Sequence, residues 1–323
     1  MTLAIVADIG GTNTRVALAD GKVVRQASVA KFPNAEFPSL EPILRAYLAQ
    51  TGLTSVEGAS VAAAGPVQDG VAEMTNLAWV IDASLLTRAT GASKVAILND
   101  LQAQGQALGH IAAENLRRVV NGPKKPGAAM LVVGLGTGVN AAPVHPLRHG
   151  RVVPPSECGH VTMPVRNEQD LRLSRFIAAW LSSCGEVPHP SIETVLSGRG
   201  LSNLYAFVAS EAGQPQDLTS AQVFAALDAG DAVAIEAARL YTHMLGQALA
   251  DLALIHLPYD GIYLIGGMAR AMTPHFARFG LATSFREPRK VDLLTRDFSI
   301  TVVEDDFAAL TGCAAYLSTV AQA

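Results

Sequence analysis

Eight consecutive residues, Asp8-Ile9-Gly10-Gly11-Thr12-Asn13-Thr14-Arg15, combine an acid, two glycines, hydroxyls, an amide and an arginine. Glycines let a backbone approach a ligand closely, and successive turn N–H groups form a concavity suited to phosphate oxygens. An aspartate at the end of a strand can hold a divalent cation, directly or through water. A second glycine loop follows much later, Gly134-Leu135-Gly136-Thr137-Gly138. The chemistry to which these loops point is the binding of a phosphorylated nucleotide.

The elements that carry the loops narrow the fold. Apolar runs Leu3–Ala7 and Val16–Ala19 flank the first loop. Asp20-Gly21 then gives a strong hairpin signal before a third strand-like run, Lys22–Val29. A Walker loop or a dinucleotide fingerprint would run from strand into helix. A loop at a hairpin bend instead points to the actin-like ATPase architecture. The chain continues with a helix-like stretch at 39–48, a strand over 58–64, a turn at Gly65-Pro66 and a strand over 94–98 that ends in Asn99-Asp100. A helix is expected over 101–113. At Met130 the cycle restarts: strand 130–133, glycine loop, strand 139–144, turn, strand 151–153. Helices are expected over 168–182, 200–211, 219–229 (with Thr219 or Ser220 as N-cap) and 232–256, and a last strand over 261–265 runs into Gly266-Gly267-Met268. The expected fold is α/β: a two-domain actin-like (ribonuclease H-like) ATPase with a mixed sheet and helices in each domain and an active-site cleft between them. The expected boundaries are 1–110 plus 308–323 for a small domain and 111–307 for a large one.

Composition sets the class. Of 323 residues, half are hydrophobic and 16% charged, so a large core is available and little of the chain reads as disordered. Net charge is −4, with no basic cluster beyond Lys124-Lys125, which argues against nucleic-acid binding. Residues 126–147 lack charge, but their glycines and prolines read as buried strand and loop, not as a membrane span. Asp8 interrupts the first apolar run, so no signal peptide is expected. Three widely spaced cysteines (Cys158, Cys184, Cys313) fit a reducing cytoplasm and no disulfide or zinc framework.

In order along the chain, Asp8-Ile-Gly-Gly-Thr-Asn13, Leu98-Asn99-Asp100, Gly134-Leu-Gly-Thr-Gly138, Glu157-Cys-Gly-His160, Glu193-Thr-Val-Leu-Ser-Gly198 and Ile265-Gly-Gly-Met268 resemble the bacterial glucokinases of the hexokinase-like sugar kinases. The resemblance runs end to end. It implies an ATP-dependent enzyme that makes glucose 6-phosphate in the cytoplasm, with ATP and Mg²⁺ as cofactors, glucose as partner substrate, and a homodimer as a possible assembly.

Phosphoryl transfer to a sugar hydroxyl needs cradled phosphates with Mg²⁺, an oriented hydroxyl and a carboxylate to take its proton. Asp100, at the end of a strand, is the expected base; its competing role is an ordinary N-cap for the helix from Leu101. Asn99 offers both donor and acceptor, as a sugar hydroxyl needs. Glu157 and His160, spaced i, i+3, can take vicinal hydroxyls, or else form a surface ion pair. Glu193 resembles the family's third sugar-binding acid, against a role as a first-turn helix carboxylate. Asn76, in Thr75-Asn76 with Trp79, matches a sugar-side loop of the family; without that match Trp79 reads as core. On the nucleotide side, Gly10, Gly11, Thr12, Asn13 and Gly136, Thr137, Gly138 are expected at the phosphates, Asp8 at Mg²⁺, and Gly266 and Gly267 at the adenosine, with Leu310-Thr311-Gly312 nearby. Arg15 is assigned equally to phosphate and to a structural ion pair.

The chain departs from the family's pattern at Asn140, where a glycine is usual two residues past the second loop, at Cys158, which replaces a small residue, and at Arg199. The stretch between His160 and Glu193 is longer. Rival readings are a kinase for mannose, fructose or an N-acetyl amino sugar, and a non-catalytic sugar sensor. A sensor would be expected to carry a helix-turn-helix ahead of Asp8 and a degraded base.

Overall fold

A computed structural model describes residues 3–74, 77–291 and 296–320. The chain forms two compact units. The first contains residues up to Asn115, Val144–Pro155 and the chain from Asp305; the second contains Leu116–Pro143 and Ser156–Glu304.

The first unit opens with β1 (Leu3–Ile9) and β2 (Asn13–Asp20), antiparallel around the first glycine loop. The expected third strand is divided. Only β3 (Val23–Val24) continues the hairpin, a short 3₁₀ turn covers Gln26–Ser28, and β4 (Ala30–Pro33) then pairs with the other half of β2. The Ser28 hydroxyl causes this break by accepting the Leu18 N–H at 2.9 Å, so β2 changes partner at that point. Next come α1 (Leu40–Thr51), β5 (Gly58–Ala63), a small meander β6 (Val67–Gln68), β7 (Val71–Glu73) and β8 (Val80–Ile81), then α2 (Ala83–Thr90) and β9 (Lys94–Asn99).

Strands β5 and β9 lie parallel to β1 in the order β3-β2-β1-β5-β9. Crossover helices cover both faces of such strands, and β5 is accordingly buried at every position. The register sets Ile9, Ala63 and Asn99 side by side. The C-terminal ends of three parallel strands therefore share one edge, the usual place for a ligand in open α/β sheets. Helix α3 (Asp100–Ala107) starts at that edge and stops six residues before its expected end. Gly109 follows at φ +82°, a left-handed conformation that suits glycine and ends the helix. The C-terminal helix, Ala308–Val320, packs on α3, where Gly312 lies against the Ala103 carbonyl with no room for a side chain.

The second unit repeats this plan. Strands β10 (Leu116–Val120), β11 (Met130–Leu135) and β12 (Val139–Pro146) are followed by β13 (Arg151–Val152), and β12 crosses from the second unit into the first. Helices α4 (Glu168–Ser183), α5 (Ile192–Leu196), α6 (Gly198–Glu211), α7 (Ser220–Asp228) and α8 (Ala232–His256) come next, then β14 (Ile262–Ile265), α9 (Gly267–Phe276), α10 (Leu281–Phe285), β15 (Ile300–Val303) and α11, the C-terminal helix. The order β12-β11-β14-β15 matches β2-β1-β5-β9, a glycine-bend hairpin followed by two parallel strands. Gly134 is level with Ile265, so the second glycine loop and Gly266-Gly267 share an edge. Helix α8, whose apolar residues run nearly all round, forms the centre of the core.

Where the sequence reading runs residues 111–307 as one piece, the structure assigns Val144–Pro155 to the first unit. The side chains explain this. Gln102 Nε2 donates to the Val153 carbonyl at 3.0 Å and Gln106 Nε2 to that of Arg151 at 3.1 Å, while Gly105 leaves space for Val144 and Val153.

Candidate functional site

In the first unit, the expected phosphate residues Gly10, Gly11, Thr12 and Asn13 line one open pocket of about 260 Å³ together with Asp8, Arg15 and Lys31. The Gly10 N–H donates to the Asn13 carbonyl at 3.0 Å and closes the turn. A buried residue that sequence reasoning missed holds the turn from behind. Asn34 Nδ2 donates to the Gly10 carbonyl at 2.7 Å, its Oδ1 accepts the Thr14 hydroxyl at 2.8 Å, and its backbone N–H donates to the Thr12 carbonyl at 2.9 Å. Lys31 was also missed. It enters the pocket because β4 pairs Lys31 with Arg15 across β2.

Arg15 lies 3.7 Å from Asp8, so it joins an ion pair while still facing the pocket. Burial pushes the Asp8 carboxyl up to about 6. Arg15 opposes that shift and the negative charge of Asp100 adds to it. Asp8 and Asp100 thus sense each other at the shared strand edge. The Asp8 carboxylate beside a phosphate cradle is a donor that fits Mg²⁺, a hard cation that takes one or two carboxylates plus phosphate oxygens.

The competition at residues 99 and 100 resolves in an informative way. Asn99, not Asp100, is the N-cap of α3: its Oδ1 accepts the Leu101 N–H at 3.0 Å, and its own N–H donates to Gln102 Oε1 at 3.1 Å in a capping box. Asn99 Nδ2 also donates to the Gly65 carbonyl at 2.9 Å, tying the ends of β5 and β9 together. Asp100 is the first helical residue, with Oδ1 accepting the Leu101 N–H at 2.8 Å. Asn99 thus supplies the cap, and the Asp100 carboxylate stands in the first turn of the helix. Asn76 lies outside the described residues. Trp79, 6% exposed, is part of the first unit's core.

In the second unit, Thr137, His160 and Glu193 line one pocket of about 360 Å³. Trp180, Glu186 and His189 line it too; they come from the end of α4 and the loop after it, a segment without a sequence motif. Glu193 Oε2 accepts the Val139 N–H at 2.9 Å, and a β-carbon on Gly138 would stand 2.8 Å from that oxygen. Gly138 is therefore needed for the approach of Glu193 as well as for any phosphate. Glu157 and His160 are largely exposed and 4.0 Å apart.

Asn140 tethers the turn that carries them. Its Nδ2 donates to the Ser156 carbonyl and its Oδ1 accepts the Cys158 N–H at 3.1 Å. The asparagine thus ties the second glycine hairpin to the Glu157–His160 turn, a bond that glycine could not make. Burial raises the Cys158 thiol and makes it a packing residue. Arg199 lies over the Trp180 ring at 4.4 Å and pairs with Glu186 at 3.0 Å.

The second glycine loop is surrounded by helix starts. The Gly198 N–H donates to the Gly136 carbonyl at 2.8 Å, and a β-carbon on Gly198 would lie 3.5 Å from Ser220 Oγ and 3.9 Å from Met268 Sδ. The N-termini of α6, α7 and α9 therefore gather at this loop, and helix N-termini favour anions. Gly266, at φ +108°, packs against the Leu135 backbone, where only glycine fits. Leu310-Thr311-Gly312, expected beside the adenosine, is accounted for by the packing of α11 on α3 in the first unit.

Comparison with known proteins decides the family. The glucokinase family model matches residues 5–320. The chain belongs to the glucokinase family. It is 32% identical over 317 residues to a glucokinase of Marinobacter nauticus, covering 96% of each chain, and 30% identical to one of Chromobacterium violaceum, covering 97% of this chain and 89% of that one. The crystal structure of a glucokinase from an Antarctic psychrotroph superposes with a TM-score of 0.88 at 28% identity, over 98% of this chain and 99% of that one. A ROK family glucokinase from Streptomyces griseus, solved with glucose and AMPPNP, shares the fold at a TM-score of 0.64 and 21% identity, covering 97% and 98%. This glucokinase-family chain is accordingly an ATP-dependent hexose kinase with the two-domain actin-like ATPase fold. None of the helices among its described residues is long and apolar enough to cross a membrane.

Proposed function

We propose that the protein phosphorylates the 6-hydroxyl of D-glucose, with Asp100 as general base. The observation that carries this reading is the shared strand edge, where Asp100 opens α3 beside the Asn99 cap and is electrostatically coupled to Asp8 under the phosphate loop. One strand, β5, lies between β1 and β9, and two inter-strand spacings of ~4.8 Å set them about 10 Å apart. That distance accommodates a γ-phosphoryl group and an attacking hydroxyl between the two carboxylates. In the first unit, the loop from Gly10 to Asn13 would hold phosphate oxygens by backbone N–H groups, with Arg15 and Lys31 adding charge. In the second unit, Gly136, Thr137 and Gly138 with the gathered helix N-termini would hold phosphate oxygens, and Gly266-Gly267 would face the adenosine.

Asn99, Glu157, His160, Glu193 and Asn76 would bind the sugar hydroxyls. Asp8 would hold Mg²⁺, which when bound neutralises charge on the phosphate oxygens. Asp100 accepts the hydroxyl proton as the oxygen attacks. The enzyme's place would be the cytoplasm, as a homodimer.

Asp100→Asn tests the base. It should keep the fold and glucose binding, measured by calorimetry, and lose kcat by several orders of magnitude. A near-normal kcat would overturn the assignment. A hexose panel in a coupled assay tests the sugar: glucose should give the highest kcat/KM among glucose, mannose, fructose and N-acetylglucosamine.

A further inference from the structure

Away from the phosphate loops, the first unit holds a second polar cavity of about 230 Å³. It is lined by Lys22, Gln106, His110, Arg151 and Thr319, with Pro146, Leu147 and Ala315 as its apolar wall. Lys22, His110 and Arg151 bring basic side chains to one space, and none of the described residues lining it is Asp or Glu. The cationic character registers on His110, whose imidazole is held below its ordinary value by burial and then by the charges of Arg151 and Lys22.

The architecture builds this arrangement. Arg151 is anchored by donating Nη1 to the Gln106 carbonyl at 3.2 Å, while Gln106, 4% exposed, returns its Nε2 to the Arg151 carbonyl. Gly109, at φ +82°, makes room for the guanidinium; a β-carbon there would meet Arg151 Nη2 at 2.6 Å. Gly150, at φ +96°, does the same for Thr319, at 2.8 Å from its methyl carbon. Leu147, 56% exposed, forms the lip of the cavity.

We propose that this cavity binds a phosphate-bearing anion, a phosphomonoester of short carbon skeleton. Two fixed cations and a titratable imidazole match the near-dianionic charge of a phosphomonoester, and charge-assisted bonds from arginine are the strong, directional kind. The exposed Leu147 and Pro146 give the organic part an apolar wall. The site is distinct from the catalytic one: Gln106 lies six residues beyond Asp100 on α3, about 9 Å along a helix that rises 1.5 Å per residue.

The test is calorimetric titration of glycerol 3-phosphate, and separately of inorganic phosphate, into the full chain saturated with glucose and AMPPNP so that the catalytic pocket is filled. A one-to-one binding event is expected for both probes, tighter for glycerol 3-phosphate. The Lys22→Gln/His110→Gln double variant should weaken it at least tenfold, with kcat measured without added phosphate esters unchanged and circular dichroism unaltered. Lys31→Gln, at the first glycine loop, should leave this event in place. Absence of the event with both probes, its survival in the double variant, or its loss in Lys31→Gln would overturn the site. Binding of inorganic phosphate alone would overturn the organic ester as its ligand.

Discussion

Asp8 is costly to ionise, and that cost should be measurable in the unliganded protein. Its carboxyl rises from 3.8 to about 6, chiefly through burial. The folded-state value is above the unfolded one, so the folded state binds the proton more tightly. Stability from this group is complete below about pH 3.8 and is lost as pH rises through about 6. The rise from 3.8 to about 6, at 1.36 kcal/mol per pH unit, is worth about 3 kcal/mol at pH 8 and about half that at pH 5.

Asp8→Asn is nearly isosteric and cannot ionise. Relative to wild type it should gain about 3 kcal/mol at pH 8 and about half that at pH 5. Of the two tryptophans, Trp79 is buried in the first unit's core, so a Trp180→Phe background makes fluorescence-detected urea unfolding report on that unit. The stabilised variant should also lose productive MgATP use while still binding glucose in calorimetry. A pH-independent difference, or no gain at pH 8, would refute the desolvated carboxylate.

Three further outcomes follow from the same geometry. Asn34→Ala removes two buried side-chain hydrogen bonds to the first loop and should cost about 2–4 kcal/mol of stability at 1–2 kcal/mol per orphaned group; steady-state kinetics should show KM for ATP up about tenfold with KM for glucose unchanged. Asn140→Gly frees the Glu157–His160 turn, and KM for glucose should rise about tenfold, the equivalent of roughly 1.4 kcal/mol, while KM for ATP holds. Glu193→Gln keeps an acceptor for the Val139 N–H but loses charge, so it should reduce glucose affinity more than thermal stability, read by calorimetry and a melting curve.

These perturbations separate what the sequence made legible from what it hid. The two glycine loops and their hairpin setting were readable because glycine, Asp-Gly turns and alternating apolar runs act over a few residues, and they led directly to the duplicated β2-β1-β5-β9 and β12-β11-β14-β15 plan. Asn34 was not readable. It follows the first loop by some twenty residues, sits in a 3₁₀ turn without periodicity, and acquires its role only when β4 folds back on β2. Lys31 was hidden by the same pairing.

Asn140 shows how far a side chain's partners can lie from its place along the chain. It stands beside the second glycine loop, yet its side chain holds the Ser156 carbonyl and the Cys158 N–H, sixteen and eighteen residues on. The pair Asn99-Asp100 depended on a single residue. Either side chain could cap a helix, and the sequence does not state where β9 ends. The register of β5 with β9 places that end at Asn99, beside Ala63, and this gives the cap to the amide. A carboxylate one position later stands at the strand edge shared with Asp8. Had β9 run one residue further, Asp100 would have taken the cap position in place of Asn99 and would no longer open the first turn of α3. The chemistry at this edge is therefore set by strand register as much as by residue type.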